Sequence, residues 1–129
     1  METKKLNVFI SQPMANETYE NILKVRKRIS EKVKKYFNTE DITFMDSYFI
    51  EEKYKVNMKN EPLFWLSKSI ELLSNSDVIV MATGWENSRG CRIEYECARL
   101  YDIMVIFEDT NYITSNKLFE VDNDSIASN

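Results

Sequence analysis

The alternation of strand and helix patterns constrains the fold of this 129-residue chain more than any other feature. Short runs of branched and aromatic residues predict buried strands at Leu6–Ser11, Ile42–Met45, Asp77–Ala82 and Ile103–Phe107. Apolar residues at helical spacing predict helices over Asn16–Phe37, from Pro62 to about Asn75, and over Gly90–Tyr101. Parallel strands with right-handed crossovers are the simplest solution. The sequence therefore predicts an α/β fold, a doubly wound parallel sheet of four to five strands flanked by helices.

The length of the chain fits a single domain with one sizeable core. Residues 1–110 carry the strand and helix patterns, and we assign them to the α/β domain. Residues 111–129 form a polar extension, which we expect to be partly mobile. Its weak pattern near Lys117–Val121 allows a short strand or helix.

The net charge of the chain indicates which kinds of partner it can bind. Lysine and arginine number 17 against 21 acidic residues, for a net charge of −4, which argues against a nucleic-acid polymer as partner. A small anionic ligand remains open, because backbone N–H groups bind anions without net positive charge. No apolar run approaches the roughly 18 residues of a membrane span, and the first residues are too polar for a signal peptide. We expect a cytoplasmic protein with no membrane partner.

The chain contains no histidine, which limits the kinds of catalytic and metal sites that it can form. It excludes a Ser-His-Asp triad, a Cys-His pair and a histidine metal site. The loop after the first strand has no glycine, which excludes a dinucleotide fingerprint and a P-loop. We predict neither a metal nor a cofactor. Cys91 and Cys97 lie about 240° apart around a predicted helix, so we expect two unpaired, reduced thiols.

Ligands of doubly wound sheets bind beyond the carboxyl ends of the strands. Three predicted loops meet there, and they contain the candidate binding residues Ser11, Gln12, Pro13 and Met14, then Asp46 and Ser47, and then the stretch from Thr83 to Gly90. Asp46 is suited either to orient a sugar hydroxyl or to cap the next turn. Ser11 and Gln12 are suited to ligand contact or to ordinary loop capping.

The third loop contains both glycines of the chain. Gly84 allows a turn directly off the strand, Ser88 is a good helix N-cap, and Gly90 leaves backbone N–H groups uncovered. Glu94 lies one helical turn beyond Gly90 on the same face. We expect the helix dipole to favour an ionised Glu94, which would suit attack on an oxocarbenium-like sugar centre.

Ordinary structural roles compete with this interpretation. Glu94 could be solvated, Gly90 could serve packing, and Trp85 could anchor the loop. Trp85 and Trp65 could instead stack on a base, although Trp65 lies within an amphipathic helix and fits a core or subunit contact better. Glu96 points away from Glu94, and we expect it to pair with Arg92.

Several short motifs together resemble the nucleoside 2-deoxyribosyltransferase superfamily, which includes 2′-deoxynucleoside 5′-phosphate N-hydrolases and phage-type relatives. They are ISQPM at the end of the first strand, SNSDVIVMATGW, and S-x-G-x-x-x-E-x-x-x-A formed by Ser88, Gly90, Glu94 and Ala98. The resemblance spans residues 8–107. It implies a flavodoxin-like or Rossmann-like sheet, a homo-oligomer and a glutamate nucleophile at Glu94. Serine rather than aspartate at position 88 follows the members that bind a 5′-phosphate.

The chain departs from the superfamily at two positions. Phe9 stands where a tyrosine is common, and Ser69 stands where an aspartate handles the base. Lys68, Glu71 and Asp46 are alternatives for protonating the leaving base, and Tyr48, Phe49 and Tyr54 could line the base pocket. The leading hypothesis is an N-glycosidic transferase or hydrolase acting on a (deoxy)nucleoside or its 5′-monophosphate. The alternative is a non-catalytic binder or sequesterer of a nucleotide-like ligand.

Overall fold

The computed structural model describes residues 5–48 and 57–109. Within these ranges it contains four strands, β1 (Leu6–Ser11), β2 (Ile42–Met45), β3 (Val78–Met81) and β4 (Met104–Phe107). Three α-helices connect them, α1 (Tyr19–Phe37), α2 (Glu61–Leu73) and α3 (Arg89–Leu100). The four predicted strands and three predicted helices are all confirmed, with ends that differ by three residues at most.

All pairings are parallel, and the strand order is β2-β1-β3-β4. The chain moves outward from β1 to β2 and then crosses back to β3 on the other side of β1. The strand order therefore reverses between β1 and β3, which is the crevice where doubly wound sheets bind ligands. The predicted α/β class and parallel sheet are confirmed.

The sheet is covered on both faces because alternate side chains of each strand point to opposite sides. Val8 and Ile10 of β1 pack with Ile29 and Val33 of α1 on one face. Phe9 packs on the other face with a cluster that includes Leu73 of α2 and Ala98 of α3. Burial on both faces explains why these strands are continuous apolar runs rather than alternating patterns.

Capping fixes where the helices begin. The Thr18 side chain accepts a hydrogen bond from the Asn21 N–H, and the Asn60 side chain accepts one from the Leu63 N–H. α1 thus begins at Tyr19 rather than at Asn16, whose positive φ of 64° belongs to the preceding turn. The apolar spacing that predicts this helix includes Tyr19, but in the structure Tyr19 is exposed. The predicted extension from residue 111 and the residues Phe49 and Tyr54 lie outside the described ranges.

Candidate active site

A cavity of about 290 Å³ lies at the carboxyl edge of the sheet, beside the crevice between β1 and β3. Its walls come from the ends of β1 and β2 with the loops that follow, from the first half of α2 and from the start of α3. The lining residues are Ile10, Gln12, Met14, Ala15, Ser47, Tyr48, Pro62, Trp65, Leu66, Ser69, Ser88, Gly90, Cys91 and Glu94. Five predicted site residues of the first and third loops and α3, namely Gln12, Met14, Ser88, Gly90 and Glu94, are therefore brought together, along with Ser69.

Glu94 is the acidic residue of the cavity wall. The residue is only 7% exposed, and the Ser11 hydroxyl donates a hydrogen bond of 2.6 Å to its Oε1. The Ser69 side chain is a second hydrogen-bond partner of the carboxylate. Ser11 ends β1 and Ser69 lies on α2, so two separate elements fix the orientation of the carboxyl group.

The protonation of Glu94 differs from the sequence-based expectation. Burial raises the pKa of Glu94 to about 7, although the hydrogen bonds from Ser11 and Ser69 act to lower it. Both partners are neutral hydroxyls, which offset desolvation less than a cation would. Glu94 is the sixth residue of α3, whereas the helix dipole acts mainly within the first turn. The expectation that the dipole keeps Glu94 ionised is therefore wrong, and near neutral pH both forms are populated.

The start of α3 follows the predicted turn. Gly84 has a φ of +89°, in the left-handed region that favours glycine, and a short 3-10 turn from Trp85 to Asn87 follows it. Ser88 caps α3, since its Oγ accepts a hydrogen bond of 3.3 Å from the Cys91 N–H. A Cβ on Gly90 would meet no atom within 4 Å, so Gly90 does not serve packing. Its missing side chain leaves the cavity open beside the first turn of α3.

Cys91 is a cavity residue that the sequence analysis missed. Its thiol is buried and interacts with the hydroxyls of Ser11 and Ser88, and burial raises the pKa of the thiol. Cys91 precedes Glu94 by three residues, a spacing that places two side chains on one helix face and was the available signal. Cys91 and Cys97 are unpaired, as predicted.

Aromatic and apolar groups form much of the remaining wall. Tyr48 lines the cavity and its ring lies 4.9 Å from that of Tyr19. Trp65, which the sequence assigned to the core or to a subunit contact, lies half-buried in the wall. A flat apolar wall beside a carboxylate can hold a heterocycle next to a charged or polar group.

Five predicted site residues do not line the cavity, and they are Ser11, Pro13, Asp46, Gly84 and Trp85. Ser11 instead donates a hydrogen bond to Glu94, and Gly84 forms the turn that leads to α3. Trp85 packs against Tyr95 and Phe107, with ring centroids 4.9 and 5.8 Å away, a position that fits the loop-anchor interpretation. Asp46 is exposed, and its Oδ1 accepts a hydrogen bond of 3.2 Å from the Tyr48 N–H, so it caps a turn. Pro13 lines a separate groove beside α1.

The structure also shows the surroundings of Phe9, Glu96 and Lys68. Phe9 is buried in the core and does not line the cavity. Glu96 pairs with Arg99 and not with the expected Arg92. Arg92 precedes Glu96 by four residues, the less favourable order for a helical ion pair, which is a physical reason for the difference. Lys68 pairs with Glu71 at 4.0 Å.

A second buried carboxylate, Glu108, follows β4 and has a different environment. It accepts hydrogen bonds from Arg28 at 2.5 and 2.8 Å, from Lys32 at 3.3 Å and from the Thr83 N–H at 3.0 Å. Burial alone would raise the pKa of Glu108, but these partners lower it to about 2. The sequence offered no signal for this network, because its members come from three distant segments.

The structure is a parallel α/β fold with a buried carboxyl group, that of Glu94, in the wall of a cavity at the carboxyl edge of the sheet. Residues 7–107 match the model of a family described as a domain of unknown function, DUF4406, and the chain belongs to this family. No curated protein matches the chain. Within residues 5–48 and 57–109 there is no cluster of three or more acidic or cysteine side chains that could hold a metal ion. In the same part of the chain, no helix has the length and apolar character needed to cross a bilayer.

Proposed function

We propose that this protein is an N-glycosidic enzyme that cleaves or transfers the base of a (deoxy)nucleoside or its 5′-monophosphate, with Glu94 as nucleophile. The observation that carries the proposal is the position of Glu94. It is a buried carboxyl held by two neutral hydroxyls in the wall of a cavity at the switch point of the sheet. Carboxylates in such settings form glycosyl-enzyme intermediates.

The proposed reaction begins with the ionised form of Glu94. One carboxylate oxygen forms a bond to C1′ of the sugar while the bond from C1′ to the base nitrogen breaks. The base leaves with the electron pair and takes a proton from solvent. Water or a second base then attacks C1′ and releases its proton to solvent, while the bond from C1′ to the Glu94 oxygen breaks. This step regenerates the Glu94 carboxylate and gives the hydrolysed or transferred product.

Ser11 and Ser69 act as positioning residues in this scheme. The bond from the Ser11 hydroxyl holds one oxygen of Glu94, and Ser69 approaches from α2. Fixing a nucleophile at the reacting carbon removes much of the entropy cost of the reaction. This assigns to Ser69 a contact with the nucleophile, rather than the base-handling role of the aspartate found at this position in the similar superfamily.

The 5′ end of the substrate is assigned to the start of α3. Ser88 and Gly90 line the cavity there, and the open space beside Gly90 gives a phosphate access to the backbone of the first helical turn. A helix N-terminus attracts anions through its free N–H groups and its dipole. The resemblance of Ser88 to the serine of nucleotide hydrolases supports a 5′-monophosphate.

One observation favours the alternative of a non-catalytic nucleotide binder. Glu94 is the only carboxylate among the described residues that line the cavity, whereas glycosidases commonly use two. A binder would retain an intact nucleotide through purification, and Glu94→Gln would keep its affinity. A bound ligand recovered with its glycosidic bond already cleaved would reject this alternative.

The superfamily resemblance also leads us to propose a homo-oligomer. Leu100 and Tyr101 at the end of α3 are 61% and 79% exposed, and they offer an apolar surface for subunit contact. Light scattering coupled to size-exclusion chromatography should give at least twice the mass of one chain. A monomer at micromolar concentration would reject this part of the proposal.

The direct test is incubation of purified protein with the common deoxynucleosides and their 5′-monophosphates, followed by chromatography for free base. Wild type is expected to release base, while Glu94→Gln and Glu94→Ala lose the activity by about a thousandfold or more. Glu96→Gln is the matched control, because it removes a carboxylate from the exposed side of the same helix. Equal release by Glu94→Ala, or none by wild type, would reject the function.

A further inference from the structure

Two residues in the Glu94 cavity carry buried polar atoms that have no hydrogen-bond partner among the residues that the structure describes. They are Gln12, through its Oε1, and Ser47, through its Oγ. Both residues are nearly inaccessible, with 5% and 6% of their surface exposed. Buried polar atoms in native proteins almost always have partners, so an unpartnered pair in one cavity indicates groups that a ligand completes.

The Gln12 amide has a defined orientation. Its Nε2 donates a hydrogen bond of 3.2 Å to the Ile22 carbonyl of α1. A carbonyl only accepts, so the NH2 group must face Ile22 and the Oε1 is fixed as an acceptor. Gln12 therefore requires a donor from the ligand. Ser47 is less restricted, because a hydroxyl both donates and accepts.

The strand order places these residues in sequence along the cavity. Ser47 follows β2, and Gln12 follows the central strand β1 directly after Ser11, the partner of Glu94. Ser88 and Gly90 follow β3 on the far side of β1. Neighbouring strands are about 5 Å apart, so the edge from β3 to β2 spans about 10 Å. A nucleotide with its phosphate at α3 and its sugar at Glu94 extends its base toward Gln12 and Ser47.

We propose that Gln12 and Ser47 form a base-recognition site. In this site the Gln12 Oε1 accepts a hydrogen bond from an N–H of the heterocycle, and the Ser47 hydroxyl donates a hydrogen bond to an adjacent acceptor atom. This inference rests on the proposed function for the identity of the ligand. Two kinds of base share this chemistry: an amine beside a ring nitrogen, as in adenine, and a ring N–H beside a carbonyl, as in uracil. A heterocycle without the N–H leaves the Gln12 acceptor buried and unpaired.

The test compares ligands that differ only in that N–H. The 2′-deoxynucleoside 5′-monophosphate of adenine is paired with that of unsubstituted purine, and that of uracil with that of N3-methyluracil. Affinities are measured by calorimetry on Glu94→Gln protein, so that cleavage does not interfere. In at least one pair, loss of the N–H should weaken binding about tenfold or more. In Glu94→Gln/Gln12→Met protein the same pair should differ by less than about threefold.

Ser47→Ala in the Glu94→Gln protein provides a test that does not depend on the Ile22 contact. The Ser47 hydroxyl has no partner in the described protein, so its removal should leave the melting temperature unchanged or raised while the better ligand binds about fivefold or more weakly. Gln12→Met also removes the Ile22 hydrogen bond, but the ratio within a ligand pair cancels a general loss of affinity.

Each outcome decides the inference. Equal affinity for both members of each pair, or a difference that persists in the Gln12→Met background, would overturn it. Base release by wild type is measured separately, so a failed base-recognition site with intact cleavage is distinguished from failure of the enzyme. Selective binding without cleavage would keep the recognition site and reject the glycosidic reaction. No binding of any of the four nucleotides, together with no base release by wild type, would overturn both.

Discussion

Glu94 and Glu108 are two buried carboxylates with opposite environments. Glu108 is surrounded by Arg28, Lys32 and the Thr83 N–H, and these partners bring its pKa to about 2. Glu94 has the hydroxyls of Ser11 and Ser69, and burial raises its pKa to about 7. Both residues are almost inaccessible to solvent, but their pKa values lie on opposite sides of the ordinary 4.5, and only Glu108 has cationic partners.

The comparison separates the structural role of Glu108 from the reactive role that we propose for Glu94. Glu108 ties α1 to the ends of β3 and β4, and its oxygens are occupied by protein donors. Glu94 lies beside a cavity and has no cation among its hydrogen-bond partners, so a developing positive charge on a sugar would be its first cationic partner. A carboxylate left unneutralised at a ligand-binding edge is a candidate nucleophile for this reason.

The largest expected effect is on the pH dependence of the rate of base release. Because only ionised Glu94 can attack, kcat/KM for base release should rise about tenfold per pH unit up to pH 7 and level off above it. The rate at pH 5 should be about a hundredfold below the plateau. The substrate should be an unphosphorylated deoxynucleoside, since a phosphate group titrates near pH 6. A profile flat from pH 5 to 8 would contradict the assignment of Glu94.

Glu108→Gln should lower the free energy of unfolding, because the ionised Glu108 stabilises the fold through its cationic partners. The pKa of Glu108 is lowered in the folded protein, so its stabilisation is present above pH 4.5 and is lost as the pH falls toward 2. We expect a loss of about 2–3 kcal/mol in the free energy of unfolding at pH 7, discounted for the half-exposed Arg28 and Lys32. Urea unfolding at pH 7 and pH 3 measures this.

The matched control for Glu108→Gln is Glu96→Gln, which removes an exposed ion pair and should leave the urea midpoint unchanged. At pH 3 the difference between wild type and Glu108→Gln should be smaller than at pH 7. A constant difference at both pH values would show that charge does not underlie the stabilisation.

Glu94→Gln should change stability in the reverse direction. The pKa of Glu94 is raised in the folded protein, so the fold holds the proton more tightly than the unfolded chain between pH 4.5 and 7. Ionisation therefore destabilises wild type as the pH rises through this window. The variant should be more stable than wild type by about 1–2 kcal/mol at pH 8 and similar to it at pH 4. Lower stability of the variant at pH 8 would contradict the raised pKa.

The smallest effect concerns the Ser11 hydrogen bond. This bond lowers the pKa of Glu94, so Ser11→Ala should raise that pKa further, by about one unit or less. Carbon NMR of labelled glutamate side chains measures the titration directly. Ser67→Ala is the matched control, because the exposed Ser67 hydroxyl bonds only the Phe64 carbonyl in the described protein. An equal shift in both variants would exclude a specific effect of Ser11.

Much of the fold was predictable from the sequence, because the spacing of apolar residues along the chain reflects which side chains are buried. The apolar runs of β1 and β3 and the spacing of Ile22, Ile29 and Val33 follow from the cores that they enter. Part of the site was predictable for a related reason, since the carboxyl ends of parallel strands must meet. Ser11, Gln12, Ser88, Gly90 and Glu94 lie where this rule places them.

Other features depend on distances that sequence spacing does not encode. Ser69 reaches Glu94 only because of how α2 is rotated against α3, and Trp85 turns into the core because Tyr95 and Phe107 receive it. The protonation of Glu94 needs the balance of burial against its hydrogen bonds. The unpartnered atoms of Gln12 and Ser47 likewise emerge only in three dimensions.

The most direct test of the central claim is chemical trapping of the glycosyl-enzyme. Wild type is incubated with a nucleotide whose sugar carries fluorine at the 2′ position, which slows breakdown of the intermediate, and the protein is digested for mass spectrometry. We expect the mass of the sugar phosphate to be added to Glu94, and we expect Glu94→Gln to acquire no adduct. Base release with the adduct on another residue, or with none, would contradict it.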